Sequence, residues 1–517
     1  MLFNSHIFIF IFLPITLIGF YWIGGRGHHR VALSWLVATS LFFYSWWNPA
    51  YLVLFLFSIL FNYAVGVNLS QMQDKNGMYK AKFILVAGIA VNLGLIGYFK
   101  YANFFVNSVN DLSNSNWHLD TIILPLAISF YTFQQVAYLV DAYRGLTREY
   151  NFLHYCLFVT FFPQLIAGPI VHHREMLPQF AQEKVYRLET VNLAVGMTIF
   201  FVGLFKKVVI ADNIAEYATP VFMAADAGEQ LTFLLAWTGT FAYTLQLYFD
   251  FSGYSDMAIG LARMFGIILP MNFNSPYQAT NIIDFWRRWH ITLSRFLRDY
   301  LYFPLGGNRQ GLVRRHLNLL LTMLLGGLWH GAGWTYVVWG GLHGVYLIIN
   351  HLWRGLCPWS LKYWWSTAFS RLLTLLVVMI SWVFFRAETF EGALNMLSAM
   401  GNFPSTFHGI LGPLETLLAY IGIRFEGGFL SWEHYKSFGW FAFWLGVVWF
   451  WPNTQQLMSR YDPVLQDHVA SDQKPLLPWV RHIKWHLSIF WAVIMSVVAA
   501  LTFLSLNQMS EFLYFQF

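Results

Sequence analysis

The chain has 517 residues, of which 57% are hydrophobic and 11% charged, with 51 Phe, 27 Tyr and 24 Trp. A soluble domain carries about 25% charged residues, so this composition excludes a water-soluble globule and makes lipid the solvent. The net charge of +6 is modest for this length and no basic stripe marks a DNA or RNA surface, so cationic loops on one side of a membrane account for it.

Apolar runs follow one another at 6–23, 31–48, 50–69, 82–100, 121–141, 189–205, 231–249, 316–330, 333–352, 367–385, 437–452 and 486–506. Most come close to or reach the roughly 17–25 residues that a spanning helix needs. They predict an all-α polytopic integral membrane protein, one domain over 1–517, with roughly eleven to thirteen crossings. The first run, SHIFIFIFLPITLIGFYWIGG, has no cationic segment before it and no A-x-A site after it, so it reads as a span, not a signal peptide. The loop GGRGHHR (24–30) is cationic, SWWNPA (45–50) uncharged, QMQDKNGMYKAK (71–82) cationic and VNDLSNSNWHLD (109–120) acidic. Positive loops stay in the cytoplasm, so the N-terminus is expected outside, on the periplasmic side.

Three stretches depart from plain spans. FVTFFPQLIAGPIVHHR (158–174) is apolar but interrupted by Pro163, Gly168 and Pro169, which suits a re-entrant element buried in protein. NIIDFWRRWHITLSRFLRDYLYFPLGGNR (281–309) alternates aromatic and cationic residues and predicts an amphipathic helix lying at the membrane interface. SLKYWW (360–365) and the region 387–436 read as further interfacial or extramembrane connections.

Chemistry can be sought at four places. In QLYFDFSGYSDMAIG (246–260), Asp250 and Asp256 end an apolar span. Their spacing does not put both on one helical face, so no acid/base pair is implied, and a serine nucleophile elbow has no G-x-S-x-G to support it. In FWRRWHITLSRFLRDY (285–300), Arg287, Arg288, Arg295, Arg298 and His290 crowd one segment. They either anchor an interfacial helix or hold the phosphates of an anionic donor. His330 sits in GGLWHGAGW (326–334), at membrane depth, where a charged residue costs about 2.5–3.5 kcal/mol and is a functional-site hypothesis by default. Its glycine neighbours admit a substrate or another backbone; the competing reading is a neutral histidine hydrogen-bonded across two helices. Finally, His172, His173, His290, His330 and His343 lack any metal-ligand spacing, and Cys156 and Cys357 are too few and too separated for a thiolate site or a disulfide framework, so no metal is expected.

FWRRWHITLSRFLRDYLYFPLGGNR followed by LLGGLWHGAGWTYVVWGGLHG resembles the membrane-bound O-acyltransferase family in its bacterial branch. ILPLAISFYTFQQVAYLVDAYRG (123–145), FFPQLIAGPIV (161–171) and LYFDFSGYSDMAIGLARMFG (247–266) extend the likeness, densest over 1–350. The resemblance implies helices around a transmembrane tunnel, His330 as the catalytic histidine and His290 in a supporting role at the donor side. It also implies acetyl-CoA as donor, with no permanently bound cofactor, and an exopolysaccharide, alginate first, as the eventual acceptor. Cellulose, peptidoglycan and teichoic acids are served by related members. A bacterial inner-membrane location follows, with a periplasmic transferase as partner and lipid all around. Phe512, Tyr514 and Phe517 in SEFLYFQF fit an F-x-Y-x-x-F ending found in such systems, which makes Tyr514 a candidate acyl relay; the bland alternative is an interfacial aromatic tail. Acyl transfer needs a base for the hydroxyl proton, and a neutral imidazole, of reference pKa about 6.5, can supply it. A D-alanyl or other acyl transferase for a different surface polymer remains the neighbouring alternative. From another class, a non-catalytic transporter remains, although neither internal repeats nor paired broken helices are seen.

Overall fold

The computed structural model describes residues 1–72, 78–147, 151–357, 363–402, 432–465, 480, 482–506 and 513. These form helices and connecting loops, with no β-strand among them beyond an isolated bridge between Pro270 and Leu465. In chain order they are α1 (Leu13–Gly24), entered through a π turn Phe8–Phe12, α2 (His29–Ser45), α3 (Ala50–Gln71) and α4 (Met78–Ile96). A π turn Gly97–Tyr101 carries α4 straight into α5 (Ala102–Ser113). Then come α6 (Ile128–Tyr143), α7 (Phe152–Thr160), the single turn α8 (Phe162–Leu165) and α9 (His173–Phe180). α10 (Thr190–Phe205) and α11 (Asp212–Asp226) are again joined through a π turn, Lys206–Ala211, and α12 (Phe233–Met264) runs back beside them. α13 (Ile282–Trp286) and α14 (Ile291–Leu297) are short; α15 (Gly311–His330), α16 (Trp334–Leu356), α17 (Trp364–Arg386) and α18 (Phe390–Gly401) complete the centre. α19 (Trp432–Phe450), α20 (Thr454–Leu457) and α21 (Ile489–Ser505) follow.

Among the described residues, four helices are long and apolar enough by length and composition alone to cross a bilayer: Ala50–Gln71, Tyr79–Ser113, Thr190–Asp226 and Trp364–Arg386. Exposed Val53, Phe83, Leu504 and Ile489 on outer helices are the side chains that lipid would cover, since a soluble monomer does not leave such apolar surface open. Phe8–Gly24, Gly439–Phe450 and Ile489–Ser505 are apolar but shorter, whereas other helices turn polar residues inward. α12 is the clearest case. The apolar run at 231–249 continues to Met264, and almost the whole helix, including Asp250 and Asp256, is buried. Its two carboxylates leave the helix in different directions, as their spacing requires. Asp250 meets Lys207 at 2.8 Å, a lysine that also pairs with Asp212 at 2.8 Å, and Asp256 meets Lys206 at 2.6 Å. A buried charge is tolerated when paired and hydrogen-bonded, and Asp256 gains Thr454 and Gln455 of α20 as further donors. The π turn places both consecutive lysines against α12, within a helix that the sequence alone reads as ending near 205.

α10 and α12 touch almost backbone to backbone. A Cβ on Gly196 would stand 2.6 Å from the Gly260 carbonyl oxygen, and one on Gly203 2.5 Å from that of Gly253. Membrane helices associate through such small residues because lipid offers no hydrophobic force to bring them together. α3 and α4 use the other device, a reciprocal amide pair in which Asn62 and Asn92 donate to each other at 3.1 and 2.6 Å.

Several expectations shift. The span expected at 121–141 becomes helical only from Ile128. Within 158–174, α7 and α8 are followed by an irregular stretch through Val171, all of it buried, as a re-entrant segment requires. The stretch 281–309 is not a single interfacial helix. It breaks at His290, whose φ of 43° is left-handed, and Phe285, Trp286, Trp289 and His290 point into the protein core. Region 387–402 is not a loose connection, because α18 buries Ala393, Met396 and Met400. The rest of that region to 431, and 360–362 of SLKYWW, lie outside the described residues.

Candidate active site

His330 is the last residue of α15, and the chain leaves it in extended conformation at Gly331. The ring is buried among aromatics: Trp329 at 4.9 Å between centroids, Trp339 at 5.0 Å and Phe385 at 5.2 Å, all edge-on. The glycines around it do not leave open room for substrate. A Cβ on Gly327 would meet the Tyr336 carbonyl oxygen at 2.2 Å and the Gly340 Cα at 3.1 Å, and one on Gly331 would fall into the Tyr336 ring at 2.1 Å. They let α16 close on the end of α15, the protein-side alternative of the two that small residues permit.

His290 comes from the break between α13 and α14, and its ring centroid lies 6.4 Å from that of His330. Two histidines 40 positions apart in sequence are thus neighbours, buried together among aromatic rings. Phe251 of α12 stands edge-on to His290 at 4.8 Å. The tautomer of His290 follows from its surroundings. The Ile170 amide donates to Thr292 Oγ1 (3.0 Å), and Thr292 Oγ1 donates in turn to Asn272 Oδ1 (2.9 Å). The Asn272 amide nitrogen donates to Ser255 Oγ (3.0 Å). Asn272 Oδ1 is therefore an acceptor, and His290 Nδ1, 3.1 Å from it, carries a proton. In the neutral ring this leaves Nε2 as the acceptor nitrogen.

His343 has the opposite character. Ser381 Oγ donates to the Val378 carbonyl (2.7 Å), so it accepts from His343 Nε2 (3.0 Å), while Nδ1 accepts from the Trp286 indole (3.3 Å). Both nitrogens are committed, and the ring braces Trp339 at 4.9 Å. It is a structural histidine.

The four arginines separate. Arg295 makes a two-pronged pair with Glu175 at 2.7 and 2.9 Å. Arg288 pairs with Asp284 one turn earlier at 2.8 Å and Arg298 with the adjacent Asp299 at 2.7 Å. Arg287 is exposed. Three of the guanidinium groups expected to hold a donor's phosphates are thus engaged by carboxylates of the protein, for which their planar fork is well matched. Arg295 also belongs to a polar cluster that sequence reasoning missed. Tyr300 donates to Asp141 at 2.9 Å and lies 3.1 Å from His172 Nδ1, while Glu175 accepts from the His172 amide at 3.1 Å. A ladder of rings joins this cluster to the histidines, from Tyr300 through Phe296 and Phe133 to Trp329, at 5.0, 4.2 and 5.0 Å. Beside it, a small cavity is lined by Phe130, Gln134, Gln164 and Gly168.

Two other missed residues are Asn272, for which the sequence carries no signal, and Lys100, for which it does. Lys100 donates to the Trp329 and His330 carbonyls at 2.5 and 3.1 Å, and an ionisable residue in an apolar run is a flag. Tyr514, Phe512 and Phe517 lie outside the described residues. Leu513 is described: it is buried, and its backbone N–H donates to Asp250 at 3.2 Å.

Residues 111–386 match the MBOAT family, membrane-bound O-acyltransferase. A peptidoglycan O-acetyltransferase of Helicobacter pylori is 46% identical over 426 residues, covering 77% of this chain and 80% of that protein. A probable alginate O-acetylase AlgI of Pseudomonas aeruginosa is 44% identical over 410 residues, covering 78% and 75%. The corresponding protein of Pseudomonas putida is 38% identical over 530 residues and covers the whole of both chains. With the family match spanning His290 and His330, and with relatives of this identity along most of its length, the chain belongs to the membrane-bound O-acyltransferase family.

Proposed function

We propose that this protein takes acetyl groups from a cytoplasmic thioester, acetyl-CoA, and passes them across the bacterial inner membrane for O-acetylation of an exopolysaccharide, alginate first. The observation that carries the reading is the buried pair His330 and His290, 6.4 Å apart, inside a protein of this family. Relatives named for alginate and for peptidoglycan match it, and a relative matched along the whole of both chains is named for alginate.

The chemistry is an exchange of esters. The acceptor oxygen attacks the thioester carbonyl while His330 takes its proton, the C–S bond breaks, and the imidazolium returns the proton to the departing thiolate. His290, with its tautomer held by Asn272, supports the donor side. Arg287, exposed beside this segment, supplies charge for the donor's phosphates, and Arg288, Arg295 and Arg298 contribute only where a donor competes with their carboxylates. The acceptor in this reading is the phenol of Tyr514. With a reference pKa of about 10, it is easier to deprotonate than a sugar hydroxyl, and its ester is a good leaving group for transfer to a periplasmic partner transferase. The burial of Leu513 and its hydrogen bond to Asp250 support the role of the segment that it belongs to. The charge pattern of the first loops supports a periplasmic N-terminus.

His330→Ala tests the reading. Surface polysaccharide from cells carrying it should lose its acetyl esters, by mass spectrometry, with the protein at normal membrane levels. Tyr514→Phe, which removes one oxygen and keeps the ring, should do the same; full acetylation in that variant would leave the tail as an anchor only.

A further inference from the structure

The last turn of an α-helix leaves carbonyls without intrahelical partners, and inside a membrane water is not there to satisfy them. α15 ends buried within the protein, at Trp329 and His330, and each of its last four carbonyls is accounted for. That of Gly327 accepts from the Gly331 amide at 3.4 Å. That of Leu328 accepts from the Tyr101 hydroxyl at 2.7 Å. Those of Trp329 and His330 both accept from Lys100 Nζ, at 2.5 and 3.1 Å. Three of the four are thus held by two consecutive side chains from an element about 230 positions earlier. Lys100 and Tyr101 close the π turn Gly97–Tyr101 that interrupts the long helix of α4 and α5, and such turns gather at functional sites.

We propose that Lys100, seconded by Tyr101, is a positioning residue for His330: it fixes the end of α15 on which the imidazole stands, and so the place from which the base acts. The charge suits the role, because a cation at a helix C-terminus meets the negative end of the helix dipole. So does the donor count. An ammonium has three N–H groups to share between two carbonyls, whereas a hydroxyl holds one. A lysine in an apolar span is costly, and the two carbonyls that it binds belong to the candidate base and to the residue before it. The remaining end of the turn is fixed from α16, where Gly327 closes on Gly340. With both sides held, His330 has a defined position although the chain beyond it leaves the helix at once.

The inference rests on His330 being the base, so its test has one arm that does not. The first arm compares Lys100→Met, Lys100→Arg and Tyr101→Phe for turnover per membrane-inserted protein. Lys100→Met should lower kcat roughly 10–100-fold with the donor KM unchanged, because a misplaced catalytic group loses rate and not ground-state binding. Lys100→Arg, which also brings several donors, should recover much of it, and Tyr101→Phe should cost less than Lys100→Met. The second arm reads geometry alone. His330→Cys, in a background of Cys156→Ala and Cys357→Ala, is alkylated with a membrane-permeant maleimide, with and without Lys100→Met. A several-fold change in alkylation rate is expected, whether or not His330 is the base. An unchanged alkylation rate would overturn the positioning role, and so, where His330→Ala is inactive, would an unchanged kcat or a raised KM with kcat preserved. If the alkylation rate changes while His330→Ala remains active, the positioning stands and the base assignment falls.

Discussion

Gly340→Ala adds a single methyl group to α16, and the structure states where it must go. The new Cβ would stand 2.2 Å from the Met323 carbonyl oxygen and 3.1 Å from the Gly327 Cα, against 3.4 Å for the beginning of ordinary contact. The shortfall is about 1.2 Å, and the obstructing atoms are backbone, so it cannot be relieved by a rotamer. α15 and α16 must move apart by that order of distance, seven residues before α15 ends at His330. A displacement of about 1 Å at a catalytic group costs on the order of 100-fold in rate, and this is the loss expected for Gly340→Ala. Alanine is otherwise the better helix former, by roughly 0.5–1 kcal/mol, so intrinsic propensity opposes the effect. Gly341→Ala is the control. Its Cβ meets only the Leu324 Cδ2 at 3.4 Å, an ordinary contact, and the variant should behave as wild type. The assay is acetyl transfer in membrane vesicles, normalised to inserted protein. Wild-type turnover in Gly340→Ala, or equal damage from Gly341→Ala, would show that close packing of these helices does not govern the site.

Asn272→Leu removes the acceptor that keeps His290 Nδ1 protonated and also the partner of Thr292 and Ser255. Buried polar groups left unpaired cost about 1–3 kcal/mol each, so both thermal stability and turnover should fall, and an active, equally stable variant would remove Asn272 from the site. Lys207→Met leaves Asp212 and Asp250 without their shared counter-ion. Breaking such a pair costs about 3–5 kcal/mol, which should appear as lost membrane abundance and a lower melting temperature in detergent; partial restoration by Asp250→Asn in the same chain, which removes one of the two carboxylate charges, would confirm the cause. Arg287→Ala and Arg295→Ala should differ in kind. The first should raise the donor KM at normal abundance, whereas the second, which unpairs Glu175, should first lower abundance; the reverse pattern would exchange their roles.

Read by itself, the sequence determined the solvent, the fold class and the family, because each depends on local composition or on contiguous motifs. A run such as ILFNYAVGV is apolar wherever it is placed, and an imidazole in GGLWHGAGW is conspicuous against its neighbours. His290 and His330 were both legible as candidates. Their adjacency was not, since nothing local records that a break at His290 turns its ring toward the end of α15. The sequence places 281–309 at the interface, as an anchor or a donor-phosphate site, for a physical reason: an interface and a protein interior with internal ion pairs both place rings beside guanidinium groups, and the amphipathic pattern is the same in the two settings. Asp284 and Asp299 lie within the stretch itself, one turn from Arg288 and next to Arg298, but the carboxylate that engages Arg295 comes from Glu175, 120 positions earlier, and only the tertiary structure brings it there. The π turns are likewise invisible to a 3.6-residue periodicity, so the apolar run 189–205 stops where Lys206 and Lys207 begin, and the run 82–100 stops at Lys100. Each of these lysines has partners distant in sequence, on α12 or on α15. The partner of a buried charge is chosen by packing, because desolvation makes an unpaired one too costly to keep, and packing is set by the whole chain.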